Sequence, residues 1–170
     1  MTELMHKPGF LGTAANWAAD MTLVLMILIG VALTVGVVMA RRQKYQTHRW
    51  IQTTSVALNV ILVLWLMILP YRDFVAPGVP NLLGEPFYLV TTLHGIVGFF
   101  AFVLGVFIVL RANGLMINAL KFNNYKLFMR VSYALYMLTI FLGLLVYYFW
   151  FINNPNPPTY GFLTPLSTGI

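Results

Sequence analysis

The chain has 170 residues, 60% of them hydrophobic and 8% charged, with a formal net charge of +6. A soluble domain carries about 25% charged residues, so this composition excludes an ordinary water-soluble globule. There are no cysteines, which excludes disulfides, thiolate zinc sites, iron–sulfur ligation and covalent c-type haem.

Residues 1–19 form an N-terminal outer segment with Pro8, Gly9 and Trp17, suited to lying along an interface. Residues 20–152 then read as one four-span transmembrane domain, with spans at about 20–40, 51–70, 87–110 and 131–152. Each has about the 20 apolar residues that cross a hydrocarbon core as a helix. The first span is followed by Arg41 and Arg42, a stop-transfer pattern rather than a cleaved leader. Tyr71–Pro86, with Pro77, Gly78, Pro80, Gly84 and Pro86, reads as a loop, and residues 153–170 as an extended proline-rich outer tail. The expected fold is all-α, an antiparallel four-helix bundle in a membrane.

Charge placement predicts orientation. Eight of the ten Lys and Arg residues lie between spans 1 and 2 or between spans 3 and 4. The positive-inside rule puts those loops in the cytoplasm and both termini on the non-cytoplasmic side of the inner membrane. The same placement explains the basic charge without nucleic acid, and the expected partners are the lipid bilayer and other membrane subunits. The basic clusters also suit anionic headgroups.

Helical periodicity assigns one inward face to each span. Span 1 offers Asp20, Leu23, Ile27, Gly30 and Thr34. Span 2 offers His48, Gln52, Ser55 and Asn59; span 3 His94, Gly98, Ala101 and Gly105; span 4 Tyr133, Tyr136, Ile140, Gly143 and Tyr147. Small residues allow close helix approach and polar ones bond across it. The expected intramembrane polar network is Gln52, Ser55, Asn59, Tyr136, Tyr147 and Asp20, with His94 beside Tyr147. The methionines are read as packing or lipid-facing residues. Tyr148, Trp150, Phe151, Phe87 and Tyr88 are read as an interfacial aromatic belt.

His94 is the sharpest chemical candidate, since an ionisable group at membrane depth points to function. Three readings stand open: a bundle-locking histidine bonded to Tyr147, Asp20 or a carbonyl; a haem or copper ligand; or a proton or quinol site. His48 is a weaker cofactor candidate at the interface, too far from His94 in depth to share an iron. His6 reaches the outer layer only if the N-terminal segment folds back. The four-histidine arrangement of a diheme cytochrome b is missing, and no catalytic set, phosphate loop or broken midplane span is present. An enzyme or a transporter is therefore disfavoured.

Span 2 opens His48-Arg49, span 3 carries Leu93-His94-Gly95, and span 4 follows Met129-Arg130 and ends Gly143 to Tyr147. In these features the chain resembles the CtaM/YozB-like four-helix membrane family, some members of which are linked to maturation of the haem-copper oxidase. The resemblance runs over the four spans and carries over to His48, Arg49, His94, Arg130, Gly143 and Tyr147. Gln52 stands where that family has a methionine, and Tyr125 where it has a histidine. It implies an accessory or assembly role for a respiratory or photosynthetic complex, with haem b or copper as candidate cofactors at His94. The rival expectations are a permanent structural subunit and a small b-type cytochrome.

Overall fold

Four long helices make up the computed structural model, which describes residues 6–117 and 124–158. They are α1 (Trp17–Arg41), α2 (Tyr45–Gly78), α3 (Pro86–Ala112) and α4 (Tyr125–Ile152), and no strand occurs among the described residues. Each is long and apolar enough to cross a membrane. The protein is thus an all-α four-helix bundle of multi-pass membrane type. Lys121 and most of the proline-rich tail lie outside the described residues.

Local chemistry sets the helix ends. Asn16 caps α1, its side-chain oxygen accepting from the Ala19 amide at 2.8 Å, so α1 starts three residues before the apolar run at Asp20. α3 begins on Pro86, whose missing N–H costs nothing in a first turn. It ends where Gly114 takes a left-handed backbone (φ +74°) and the Leu115 amide bonds back to the Leu110 carbonyl. α1 and α2 are joined by three residues, Arg42–Lys44, which forces them to be antiparallel neighbours.

α2 departs from the expected span. It continues beyond Pro70 as helix to Gly78, so the first half of the expected 71–86 loop is helical. The reason is a change of winding. Val63–Met67 and Tyr71–Val75 form π turns, in which the Ile68 amide reaches the Val63 carbonyl and the Ala76 amide the Tyr71 carbonyl. A wider turn accommodates Pro70, which has no amide to donate. A third π turn, Tyr148–Ile152, extends α4.

The helices pack as two tight hairpins, α1 with α2 and α3 with α4, joined along looser α1–α4 and α2–α3 seams. The interior holds two packed clusters. Ile29, Leu33, Val56, Leu62, Ala101 and Tyr136 fill the half toward the basic loops. Ala15, Val75, Tyr147, Trp150 and Phe151 fill the half toward the termini. The inward arc of α1 runs through Met26, Ile29, Leu33 and Gly36. Ile27, expected on that arc, faces outward at 41% exposure. The aromatic-belt reading also fails for two residues. Trp150 and Phe151 are 5% and 8% exposed, because they lie three and four residues past Tyr147 and continue its inward face.

Candidate functional site

The end of the bundle near the termini is closed by a folded-back strap. Residues 7–17 form a narrow hairpin, with the Gly9 amide on the Ala15 carbonyl and the Trp17 amide on the Lys7 carbonyl, both at 2.9 Å. Gly12 turns it with φ +73°, a backbone that side chains resist. The strap is held by Asp20, which is fully buried. Its Oδ2 accepts from the Phe10 and Leu11 amides at 2.6 and 2.7 Å, and its Oδ1 accepts from the Tyr147 hydroxyl at 2.6 Å. Thr13 Oγ1 lies 2.7 Å from the same hydroxyl. A Cβ at Gly9 would collide with the Asp20 carboxylate, so the strap comes this close only because residue 9 is glycine. Three donors on one carboxylate, in the first turn of a helix, offset the cost of burying it.

Next to this plug, Trp150 donates its indole N–H to Thr91 Oγ1 at 2.7 Å and stacks on Phe87, with ring centroids 4.9 Å apart at 16°. Thr91 in turn donates to the Phe87 carbonyl at 2.6 Å. Ala15 and Val75 complete the seal.

Below the plug lies His94. Its Nδ1 is 3.0 Å from the Thr139 carbonyl oxygen on α4. A carbonyl only accepts, so Nδ1 carries the proton and the neutral ring presents Nε2 as a lone-pair acceptor. Of the three partners expected for a bundle-locking His94, the carbonyl is the one found. Tyr147 and Asp20 are engaged with each other and with the strap. Gly143 makes room here: a Cβ on it would strike Met26 Sδ and His94 Cε1, so thioether and imidazole meet over one glycine.

His94 stands in the wall of a cavity of about 470 Å³ that lies between the two packed clusters. This is within the range of small-molecule sites, about 300–1,000 Å³. The wall is largely apolar and aromatic. Its polar points include His94, Thr91, Thr139, Asn59, Tyr71, Tyr136 and Tyr147, with Asn16, Thr22 and Trp150 toward the strap, and no Lys, Arg, Asp or Glu lines it among the described residues.

The remaining expected network residues are not one layer. Asn59 donates to the Tyr136 hydroxyl across the bundle at 3.4 Å, at the floor of the cavity. Gln52 donates instead to the Leu33 carbonyl at 3.1 Å, and His48 Nδ1 sits 2.8 Å from the Gly36 carbonyl; both zip α2 onto α1. Ser55 is buried on α2. His48 is thus a helix-pairing residue far down the sequence of contacts from His94. Thr34 pairs with Tyr133 at 3.0 Å. Of the residues matched to the CtaM/YozB-like pattern, Arg49 lies over the Trp50 ring and Arg130 is exposed. Tyr125 carries the Arg111 guanidinium over its ring at 5.5 Å.

Sequence reasoning missed Thr13, Gly36, Thr91 and Thr139, while Met26, read as a packing methionine, does pack beside His94. Only the turn-forming Gly9, Gly12 and the capping Asn16 advertise the strap locally. No group of three or more His, Cys, Asp or Glu that could hold a metal occurs among the described residues. Compared with family models, curated proteins and solved structures, the chain matches none.

Proposed function

We propose that this protein is an accessory or assembly protein of a respiratory or photosynthetic complex, and that it holds a membrane-dissolved cofactor against His94. The observation that carries this reading is a histidine lone pair set in the wall of an apolar cavity, in a helix pair whose Thr139 carbonyl orients the ring. The charge distribution supports an inner-membrane placement with both termini on the non-cytoplasmic side. In that placement the cavity lies in the outer half of the bilayer.

The candidate cofactors named by the CtaM/YozB-like resemblance can be weighed on the donor set. Haem finds one suitable nitrogen in His94 and a thioether beside it in Met26. Its two propionates find no cation on the cavity wall among the described residues, so a resident haem does not fit. Copper finds one imidazole and one thioether, two soft donors short of a closed site. Haem-copper oxidase maturation remains the specific role the resemblance favours, exercised through contact with partner subunits rather than through a metal kept here.

The test is purification in mild detergent, with absorption spectra of the oxidised and dithionite-reduced protein and identification of what co-purifies. A colourless protein bound to a larger membrane complex is expected. His94→Ala is expected to lower the cofactor content or assembly of that complex while the bundle stays folded. Unchanged assembly and unchanged cofactor content in His94→Ala would remove the cofactor-holding role. A stoichiometric Soret band lost in the same variant would put a b-type cytochrome in its place.

A further inference from the structure

The cavity has closed ends and an open side. Toward the termini it is sealed by the strap, the Asp20–Tyr147 pair and the Trp150–Thr91–Phe87 plug. Toward the basic loops it is floored by Tyr136, Asn59 and the packed cluster around Leu33 and Ala101. Along the α1–α4 seam, Asp20–Tyr147, Thr34–Tyr133 and the Gly30–Ile140 contact hold the helices together.

The α2–α3 seam is different. Asn113 bonds Thr53 at one end, and Tyr71 touches Gly95 at the other. Between them no side-chain hydrogen bond joins α2 to α3 among the described residues. There Leu64, Ile68 and Phe99 line the cavity and also face outward, at 60%, 49% and 62% exposure. This stretch of α2 includes the Val63–Met67 π turn, a winding that recurs at functional sites. A residue that is both wall and lipid-facing surface marks a mouth, and this mouth opens into the hydrocarbon.

The wall chemistry then selects what passes through. Nε2 of His94 accepts and does not donate, so the ligand must bring an O–H or N–H. The wall has no formally charged residue among the described residues, which favours an uncharged ligand. Phe99, Phe102, Tyr71 and Phe74 suit a flat ring, and the mouth suits a long apolar tail left in the bilayer.

We propose that the ligand is a prenylated hydroquinone, entering sideways between α2 and α3 and donating a ring hydroxyl to His94 Nε2. The oxidised quinone has only carbonyl acceptors and would face the histidine lone pair with nothing to give it. At His94 the site therefore favours the reduced over the oxidised form by one hydrogen bond. The proposal is one of binding, with no electron transfer in it. It rests on the cofactor-holding reading above and names the class of cofactor.

The experiment uses the full chain in lipid nanodiscs. Binding of decyl-benzohydroquinone is compared with that of its dimethyl ether and of the decyl-benzoquinone. The expected result is roughly five- to tenfold tighter binding of the hydroquinone than of either other form, the worth of one buried hydrogen bond. His94→Leu should erase the preference while leaving weak binding of all three. Leu64→Trp, which narrows the mouth at an exposed position, should slow association of the hydroquinone and keep the preference, so a folding fault in the His94 variant cannot mimic the result. Equal binding of all three forms by the unaltered protein overturns the hydroquinone proposal and leaves the cofactor-holding reading intact. A preference that survives His94→Leu overturns it as well. No binding of any form, with a haem band present, replaces the hydroquinone by haem. No binding and no band removes both readings.

Discussion

The two ends of the bundle are built on different principles. The end near the basic loops is held by separate bonds from single side chains: His48 to the Gly36 carbonyl, Gln52 to the Leu33 carbonyl and Asn113 to the Thr53 hydroxyl. Each joins one pair of elements and can be lost alone. The end near the termini gathers its bonds on one buried carboxylate, which ties the strap, α1 and α4 together. Distributed bonds tolerate damage, whereas a shared acceptor concentrates it, since several donors lose it at once. The cavity sits just inside the concentrated end, so its roof depends on Asp20.

That contrast makes the largest expected effect a substitution at Asp20. Asp20→Ala strands the Phe10 and Leu11 amides and leaves the Tyr147 hydroxyl with Thr13 alone, at a cost of about 3–5 kcal/mol. It should appear as a lower unfolding temperature in detergent and as rapid proteolysis within residues 7–15. Asp20→Asn can still turn its carbonyl to the two amides and its NH2 to the tyrosine oxygen. It should lose about 1–2 kcal/mol, with the strap still protected. An Asp20→Ala protein as stable as the parent would show that the strap is ornamental to the fold.

Trp150→Phe is a middle case. It keeps the stack on Phe87 but removes the indole donor to Thr91, and should cost about 1 kcal/mol. Thr91 can still donate to the Phe87 carbonyl, which limits the loss. Tryptophan fluorescence and thermal unfolding would measure it. The smallest effect is expected at the other end. His48→Ala removes one bond to Gly36 and leaves Gln52 on Leu33, and should cost under about 1 kcal/mol with no change in ligand binding at His94. If His48→Ala proved as damaging as Asp20→Ala, the two ends would not differ as described.

Much of the candidate site is legible in the sequence. His94, Gly98, Ala101 and Gly105 do lie on one face of α3, because that part of the helix keeps its 3.6-residue period; Gly98 meets Thr139 and Gly105 meets the Tyr136 hydroxyl on α4. Tyr133, Tyr136, Ile140, Gly143 and Tyr147 likewise all turn inward on α4. Periodicity stopped serving where the period changes. The π turns of α2 carry the helix past Pro70 to Gly78, which is why the 71–86 loop is half helix, whereas Trp150 and Phe151 are core rather than belt because they continue the inward face of Tyr147. Ile27 was misplaced for a milder reason. The two partners of α1 pull its buried arc toward Met26 and Gly36, and period alone does not say where a helix's neighbours stand.

Composition and apolar run length were sufficient for four helical spans, since lipid leaves the backbone no other way to satisfy its hydrogen bonds. Turn and cap chemistry at Asn16, Pro86 and Gly114 set where those helices begin and end. Which polar groups meet is a different matter. Asp20 finding two amides ten and nine residues back and a hydroxyl 127 residues on, or His94 finding the Thr139 carbonyl, depends on how helices dock and on a strap folding over them. A backbone amide or carbonyl is the same group at every position, so nothing in the residue order marks which one a buried side chain will choose. Packing chose, and in choosing it left His94's second nitrogen to the cavity.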